Sequence, residues 1–173
     1  ADDIFRHNKD ETILSVCVDG SLHSEYGLTL TLNEFIPNLK TKGKDPKFIV
    51  NYVYYSSEDK KFNYSNSKDN IVYKYSSILG KYKSFGTFYI EDRWSKTHAL
   101  EQIVGHTKKD ESNMLIVGYF GIKGPKVESK ELSRGINYLL ESSVVPTILV
   151  KELKQRENDK GYNWLFVLDP EQS

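Results

Sequence analysis

An α/β fold, a three-layer Rossmann-like sandwich around an open five-stranded parallel sheet, is predicted by three observations. Short apolar runs alternate with amphipathic stretches from Thr12 to Val150. The runs are near-continuous rather than strictly alternating, which marks strands covered on both faces. The first of them ends on Asp19-Gly20-Ser21, a turn that leads into a helix. Strands joined through helices need crossover connections, and those place helices on both faces of a parallel sheet. In such sheets the ligand crevice lies beyond the carboxyl ends of the strands, where the strand order reverses.

Thr12–Val18, with Ile13, Leu14, Val16, Cys17 and Val18, reads as the first strand. Ser21 caps the following helix, and Glu25 suits the positive end of its dipole. Leu28, Leu32 and Phe35 give that helix an apolar face, and Pro37 is expected to stop it. After a Lys/Gly/Pro loop over 41–47 comes a Tyr- and Val-rich second strand, Phe48–Tyr55. Residues 56–67 are polar and loop-like, with Ser67 as a cap for a helix marked by Ile71, Tyr75, Ile78 and Tyr82. Phe85–Ile90 is the third strand. Thr97 caps a helix bearing Leu100, Ile103 and Val104. Met114–Val117 is the fourth strand, Leu132, Ile136, Leu139 and Leu140 mark the fourth helix, and Pro146–Val150 is the fifth strand. The boundaries are an N-terminal arm over 1–11, the domain over 12–153, a polar linker over 154–161, and a C-terminal strand within 162–173 centred on Trp164–Leu168. Asp169 and Ser173 repeat the order of Asp19 and Ser24. That strand therefore opens a second similar domain, or is an arm that pairs with its own sheet or another copy.

Composition narrows the function. The 173 residues carry 24 Lys+Arg against 24 Asp+Glu, so the basic excess expected of a nucleic-acid groove is missing. One cysteine, Cys17, excludes an intrachain disulfide and a multi-cysteine metal site. No apolar run approaches the roughly 18 residues of a membrane span, and the charged start lacks the apolar core of a secretory signal. A cytoplasmic protein without nucleic-acid partner or membrane insertion is expected.

Asp19 ends the first strand at the predicted switch point, where it accepts a ribose hydroxyl or serves as an ordinary turn residue. The loop Gly118-Tyr-Phe-Gly121-Ile-Lys-Gly124-Pro-Lys126 leads towards Ser133-Arg134-Gly135. Glycines let backbone N–H groups approach phosphate, and a helix start adds positive charge, although a plain strand-to-helix loop shares that composition. Ser21 reads as a cap, not a nucleophile, because the strained G-x-S-x-G elbow is absent. Cys17 reads as core, and His7, His23, His98 and His106 lack metal-ligand spacing. Tyr52, Tyr54 and Tyr55 cover a sheet face or an interface, and Trp94 is expected to pack before the third helix. No paired-carboxylate or nucleophile–base set is evident, so an enzyme is not expected.

Three segments resemble the universal stress protein family over residues 12 to 152. Ser15-Val-Cys-Val-Asp19-Gly-Ser-Leu-His-Ser24 resembles its opening strand and D-G-S-x-x-S turn. Met114-Leu-Ile-Val-Gly118-Tyr-Phe-Gly121 resembles its fourth strand and the first half of its G-x2-G-x9-G-[ST] motif, and Tyr138 to Val150 resembles its closing helix, proline and strand. The resemblance implies strand order 3-2-1-4-5, a dimeric habit and adenine-nucleotide binding. It implies that Asp19 faces ribose, Tyr52 and Val53 approach adenine, and Gly118 and Gly121 line the phosphates. Ser133-Arg134 stands where the family has Gly-Ser, after a slightly longer loop, and Glu131 falls at the third glycine position. A carboxylate there repels phosphate whereas Arg134 attracts it. The expected function is a regulatory module that binds ATP or AMP, with Mg only alongside ATP, coupled to assembly as a homodimer or tandem pseudo-dimer through the strand-five edge, within a larger protein assembly or not. The alternative is a scaffold that keeps the fold without the nucleotide.

Overall fold

The computed structural model describes residues 11–54, 68–82, 85–94, 99–119, 134–143, 145–151 and 166–168. The strands are β1 (Glu11–Val18), β2 (Asp45–Tyr54), β3 (Gly86–Asp92), β4 (Met114–Gly118), β5 (Thr147–Val150) and β6 (Phe166–Leu168). The helices are α1 (Leu22–Leu30), α2 (Ile36–Thr41), α3 (Lys68–Leu79), α4 (Ala99–Lys109) and α5 (Arg134–Ser142). The sheet order is β3-β2-β1-β4-β5-β6. The five strands β1 to β5 run parallel in the expected 3-2-1-4-5 order, with Val18 opposite Tyr52 and Gly118 opposite Val150.

Alternation along the strands sends side chains to two cores. Leu14, Val16 and Val18 of β1 and Phe48, Val50 and Tyr52 of β2 pack under α1 to α3, against Leu28, Ile36, Ile71 and Tyr75. Cys17, Val53, Leu115, Val117 and Leu149 face the other way, against Ile103 and Val104 of α4 and Ile136 and Leu139 of α5. That is the three-layer sandwich. Burying each such Leu, Ile or Val contributes on the order of 1.5–3 kcal/mol. The second face also takes a polar pair that an apolar reading of β1 passes over. Asn51 Nδ2 donates to Ser15 Oγ at 2.7 Å, both residues being buried.

Several boundaries differ from expectation for identifiable reasons. Pro37 does not stop the first helix. A π-helical stretch, Thr31–Phe35, widens the ladder, so that the Ile36 N–H donates to Thr31 O and the chain continues into α2. Proline lacks the donor for an ordinary i−4 bond and crowds that carbonyl, and near the start of a fresh α-helical stretch its missing donor matters little. Termination comes at Gly43, with φ +72°, after Lys42 has closed the last carbonyls. β2 starts at Asp45, taking in Pro46. The Phe48 N–H points outward to Phe85 O at 3.0 Å, and position 46 shares that side beyond the start of β3. Proline is tolerated there because no strand receives its N–H. Of the residues that mark the fourth helix, Ile136 and Leu139 fill the core while Leu140 is 40% exposed. The positions of Tyr55, Ser67, Thr97, Leu132 and the 154–161 linker lie outside the described residues.

The C-terminal strand forms over Phe166–Leu168, antiparallel to β5, with Ile148 opposite Val167. It covers the strand-five edge that was expected to make the dimer or pseudo-dimer contact. The sheet's outer strands in this chain are β3 and β6.

Candidate functional site

The reversal of strand order lies between β1 and β4, the two strands that begin opposite connections from the sheet centre. β1 ends in a tightly bonded turn. Asp19 Oδ1 accepts from the Ser21 N–H at 2.8 Å, an Asx turn. Ser21 is the N-cap of α1, its side chain accepting from the Ser24 N–H at 3.3 Å, as its residue type predicts. The Ser24 hydroxyl donates to Ser21 O at 2.9 Å and accepts from the Asp19 N–H at 3.2 Å. Asp19, Ser21 and Ser24 thus form one closed hydrogen-bonded knot. Gly20, with φ +83°, makes the sharp bend, and a Cβ there would lie 2.9 Å from Ile71 Cδ1 of α3.

Gly118 closes the other side. A Cβ at this position would lie 2.8 Å from both His23 C and Ser24 N. The bare Cα lets β4 run up against the first turn of α1, whose N-terminal N–H groups and dipole favour negative charge. Tyr52 and Val53 lie near the end of β2, Tyr52 opposite Val18 at the end of β1. They are buried on opposite faces of the sheet, Tyr52 under α1 and α3 and Val53 under α4 and α5. The tertiary structure therefore gathers Asp19, Tyr52, Val53 and Gly118 at one carboxyl edge. Arg134 opens α5. Gly121, Ser133 and Glu131 lie outside the described residues, and with them the expected juxtaposition of Asp19 with Gly121.

One residue of this region was legible only as core. Tyr75 belongs to the helical apolar face of α3 and is 0% exposed, yet its hydroxyl makes no hydrogen bond among the described residues. Burial pushes its phenol above the ordinary value; the Ser24 hydroxyl pulls it back, the Asp19 carboxylate pushes it up again, and the Gly20 backbone lowers it. Apolar periodicity cannot separate such a tyrosine from a phenylalanine.

Cys17 is core, as expected, and burial with the nearby Asp19 carboxylate drives its thiol far above the ordinary range, which leaves it unreactive. A second polar cluster sits at the end of β3. Glu91 pairs with His106 of α4 and accepts from Trp94 Nε1 at 3.1 Å. Gln102 accepts from the Trp94 N–H and donates to Asp92 O, both at 2.9 Å. Trp94, expected to pack before the third helix, does so at the surface: it is 54% exposed, its ring edge-on to His106 at a centroid distance of 6.4 Å and its indole N–H bonded to Glu91. Among the described residues no three His, Cys, Asp or Glu side chains converge as a metal site, and no helix is long and apolar enough to cross a membrane.

No protein-family model matches the chain, and no curated protein matches its sequence. Solved structures do match in fold. The hypothetical protein MJ0577, described in a structure-based assignment of biochemical function, superposes with a TM-score of 0.58 at 19% identity, over 85% of this chain and 97% of its own. A universal stress protein from Archaeoglobus fulgidus gives 0.54 at 16% identity, over 81% and 93%. A universal stress protein family protein from Arabidopsis thaliana, solved with AMP bound, gives 0.51 at 11% identity, over 87% and 99%.

Proposed function

We propose that this chain, which has the fold of the universal stress proteins, is a regulatory module that binds an adenine nucleotide at the β1–β4 carboxyl edge. The observation that carries the reading is the pairing of the Asp19 turn with Gly118 at the point where strand order reverses. A structural neighbour holding AMP supports it. The residues present fit such a ligand. An ionised carboxylate offers about four acceptor sites, so Asp19 can keep the Ser21 N–H and still take a sugar hydroxyl. The bare Cα of Gly118 holds the β4 backbone against the α1 N-terminus, where an anion is favoured. Val53 and Tyr52 present the end of β2 to the base. The module binds rather than catalyses, and the nucleotide biases its assembly with a second copy or a larger complex.

Equilibrium dialysis with labelled AMP and ATP tests the reading. Saturable binding that falls at least tenfold in Asp19→Ala, with the variant still folded, is the expected result. No binding by the unaltered chain at millimolar AMP refutes it. Sedimentation with and without AMP tests the coupling to assembly. A second reading, a scaffold that keeps the fold without the nucleotide, draws on the outer strand β3, where Tyr89 and Ile90 are each 41% exposed. It predicts self-association or partner binding indifferent to AMP.

A further inference from the structure

On α3, whose Ile71 lies against the Asp19 turn, Tyr75 carries a hydroxyl with no hydrogen-bond partner among the described residues. Tyr75 is wholly buried, its ring edge-on to Phe88 at a centroid distance of 6.2 Å. Ile71, one turn earlier on the same face of α3, lies against Gly20, where an added Cβ would come within 2.9 Å of its Cδ1. Tyr75 follows one turn on from that contact, and its hydroxyl has no hydrogen-bond partner among the described residues. A buried hydroxyl left unpaired is unfavourable, and a phenylalanine would fill the same space without that cost. An orphan of this kind next to a functional turn calls for a use outside the ligand-free packing.

We infer that Tyr75 is a positioning residue for Asp19, its hydroxyl steadying the Asp19-Gly20-Ser21 turn once the carboxylate is shared with a sugar hydroxyl, and so favouring ribose-bearing ligands. The inference rests on the nucleotide reading given above. In the ligand-free chain the Asp19 carboxylate holds the turn through the Ser21 N–H. When that carboxylate also takes a sugar hydroxyl it is drawn towards the ligand as well as the turn, and a second anchor keeps the turn in place. Tyr75 is a rigid donor on the adjoining helix. Ser24, whose hydroxyl accepts from the Asp19 N–H, is also among the groups that act on the phenol's ionisation.

The test is Tyr75→Phe, with AMP and 2′,3′-dideoxy-AMP as probes. Loss of one hydrogen bond to the turn is expected to weaken AMP binding about five- to tenfold. Binding of the dideoxy probe, which lacks the hydroxyls that Asp19 would take, is expected to be unchanged by the substitution. The thermal midpoint of Tyr75→Phe is expected to equal or exceed that of the unaltered chain, because an orphan hydroxyl has been removed. Unchanged AMP binding in Tyr75→Phe, beside an unaltered chain that does bind AMP, overturns this inference and leaves the nucleotide reading standing. A lowered thermal midpoint, or an equal loss with both probes, makes Tyr75 structural and also overturns it. Failure of the unaltered chain to bind AMP overturns the nucleotide reading, and this inference with it.

Discussion

Replacing Gly118 with alanine places a methyl group 2.8 Å from His23 C and Ser24 N and 3.0 Å from His23 Cβ. Two of these atoms are backbone, tied into the first turn of α1 by the Ser21 and Ser24 hydrogen bonds, so no flexible side chain can swing aside. Forcing extra volume into a packed site costs about 1–3 kcal/mol. Gly118 has no positive φ, so alanine also recovers about 0.4–1 kcal/mol by restricting the unfolded chain. The net expectation is a loss of about 1–2 kcal/mol, or a fall of roughly 2–8 °C in thermal midpoint for a domain of this size. Gly105 supplies the control. It is an exposed position within α4, where an added Cβ meets nothing within 4 Å. Alanine there is expected to add about 0.5–1 kcal/mol through helix propensity. Urea titration and thermal melts of the two variants, beside the unaltered chain, read opposite signs. A Gly118→Ala protein as stable as the parent would show that β4 and α1 do not approach as closely as described, and the account of the site would fall with it.

Other outcomes follow from single contacts. Gly43→Ala, at φ +72° with open space around it, is expected to lose about 1–2 kcal/mol from backbone strain alone; a neutral result in urea titration would mean that Gly43 does not end the helix. Ser21→Ala removes the acceptor for the Ser24 N–H, and a loss of about 0.5–2 kcal/mol by the same assay is expected from the missing cap. Burial alone would raise the Glu91 carboxyl, but His106, with Gln102 and Trp94, holds it below its ordinary value of 4.5. A lowered folded-state value contributes stability that is present above the unfolded value and is lost as pH falls through the folded one. Glu91→Gln is therefore expected to flatten the acid arm of the stability profile below about pH 4.5, measured by chemical denaturation at a series of pH values, and an unchanged arm would assign the acid sensitivity to other carboxylates.

The order of strands and helices was legible because apolar runs ending in turn signals, joined through amphipathic stretches, leave a chain few ways to bury both faces of a sheet. Asp19 and Gly118 stood out by residue type and place in the chain, and the neighbouring strands β1 and β4 carry both to one edge. Local chemistry also sufficed for the Ser21 cap, because its partner is three residues away. What depended on distant partners was not legible. Pro37 reads as a stop until a π-helical stretch reroutes the ladder around it. Trp94 reads as packing before the third helix, but its polar partners Glu91 and Gln102, from β3 and α4, do not show in the sequence. That the C-terminal strand lies antiparallel against β5 was not legible either, since its apolar residues fit any open strand edge. Tyr75 carries the same apolar periodicity that a phenylalanine would, and only tertiary packing leaves its hydroxyl without a hydrogen-bond partner among the described residues. Periodicity reports which side of an element is buried; which polar atom meets which across the fold is decided by tertiary packing, where a shift of an ångström makes or breaks a hydrogen bond.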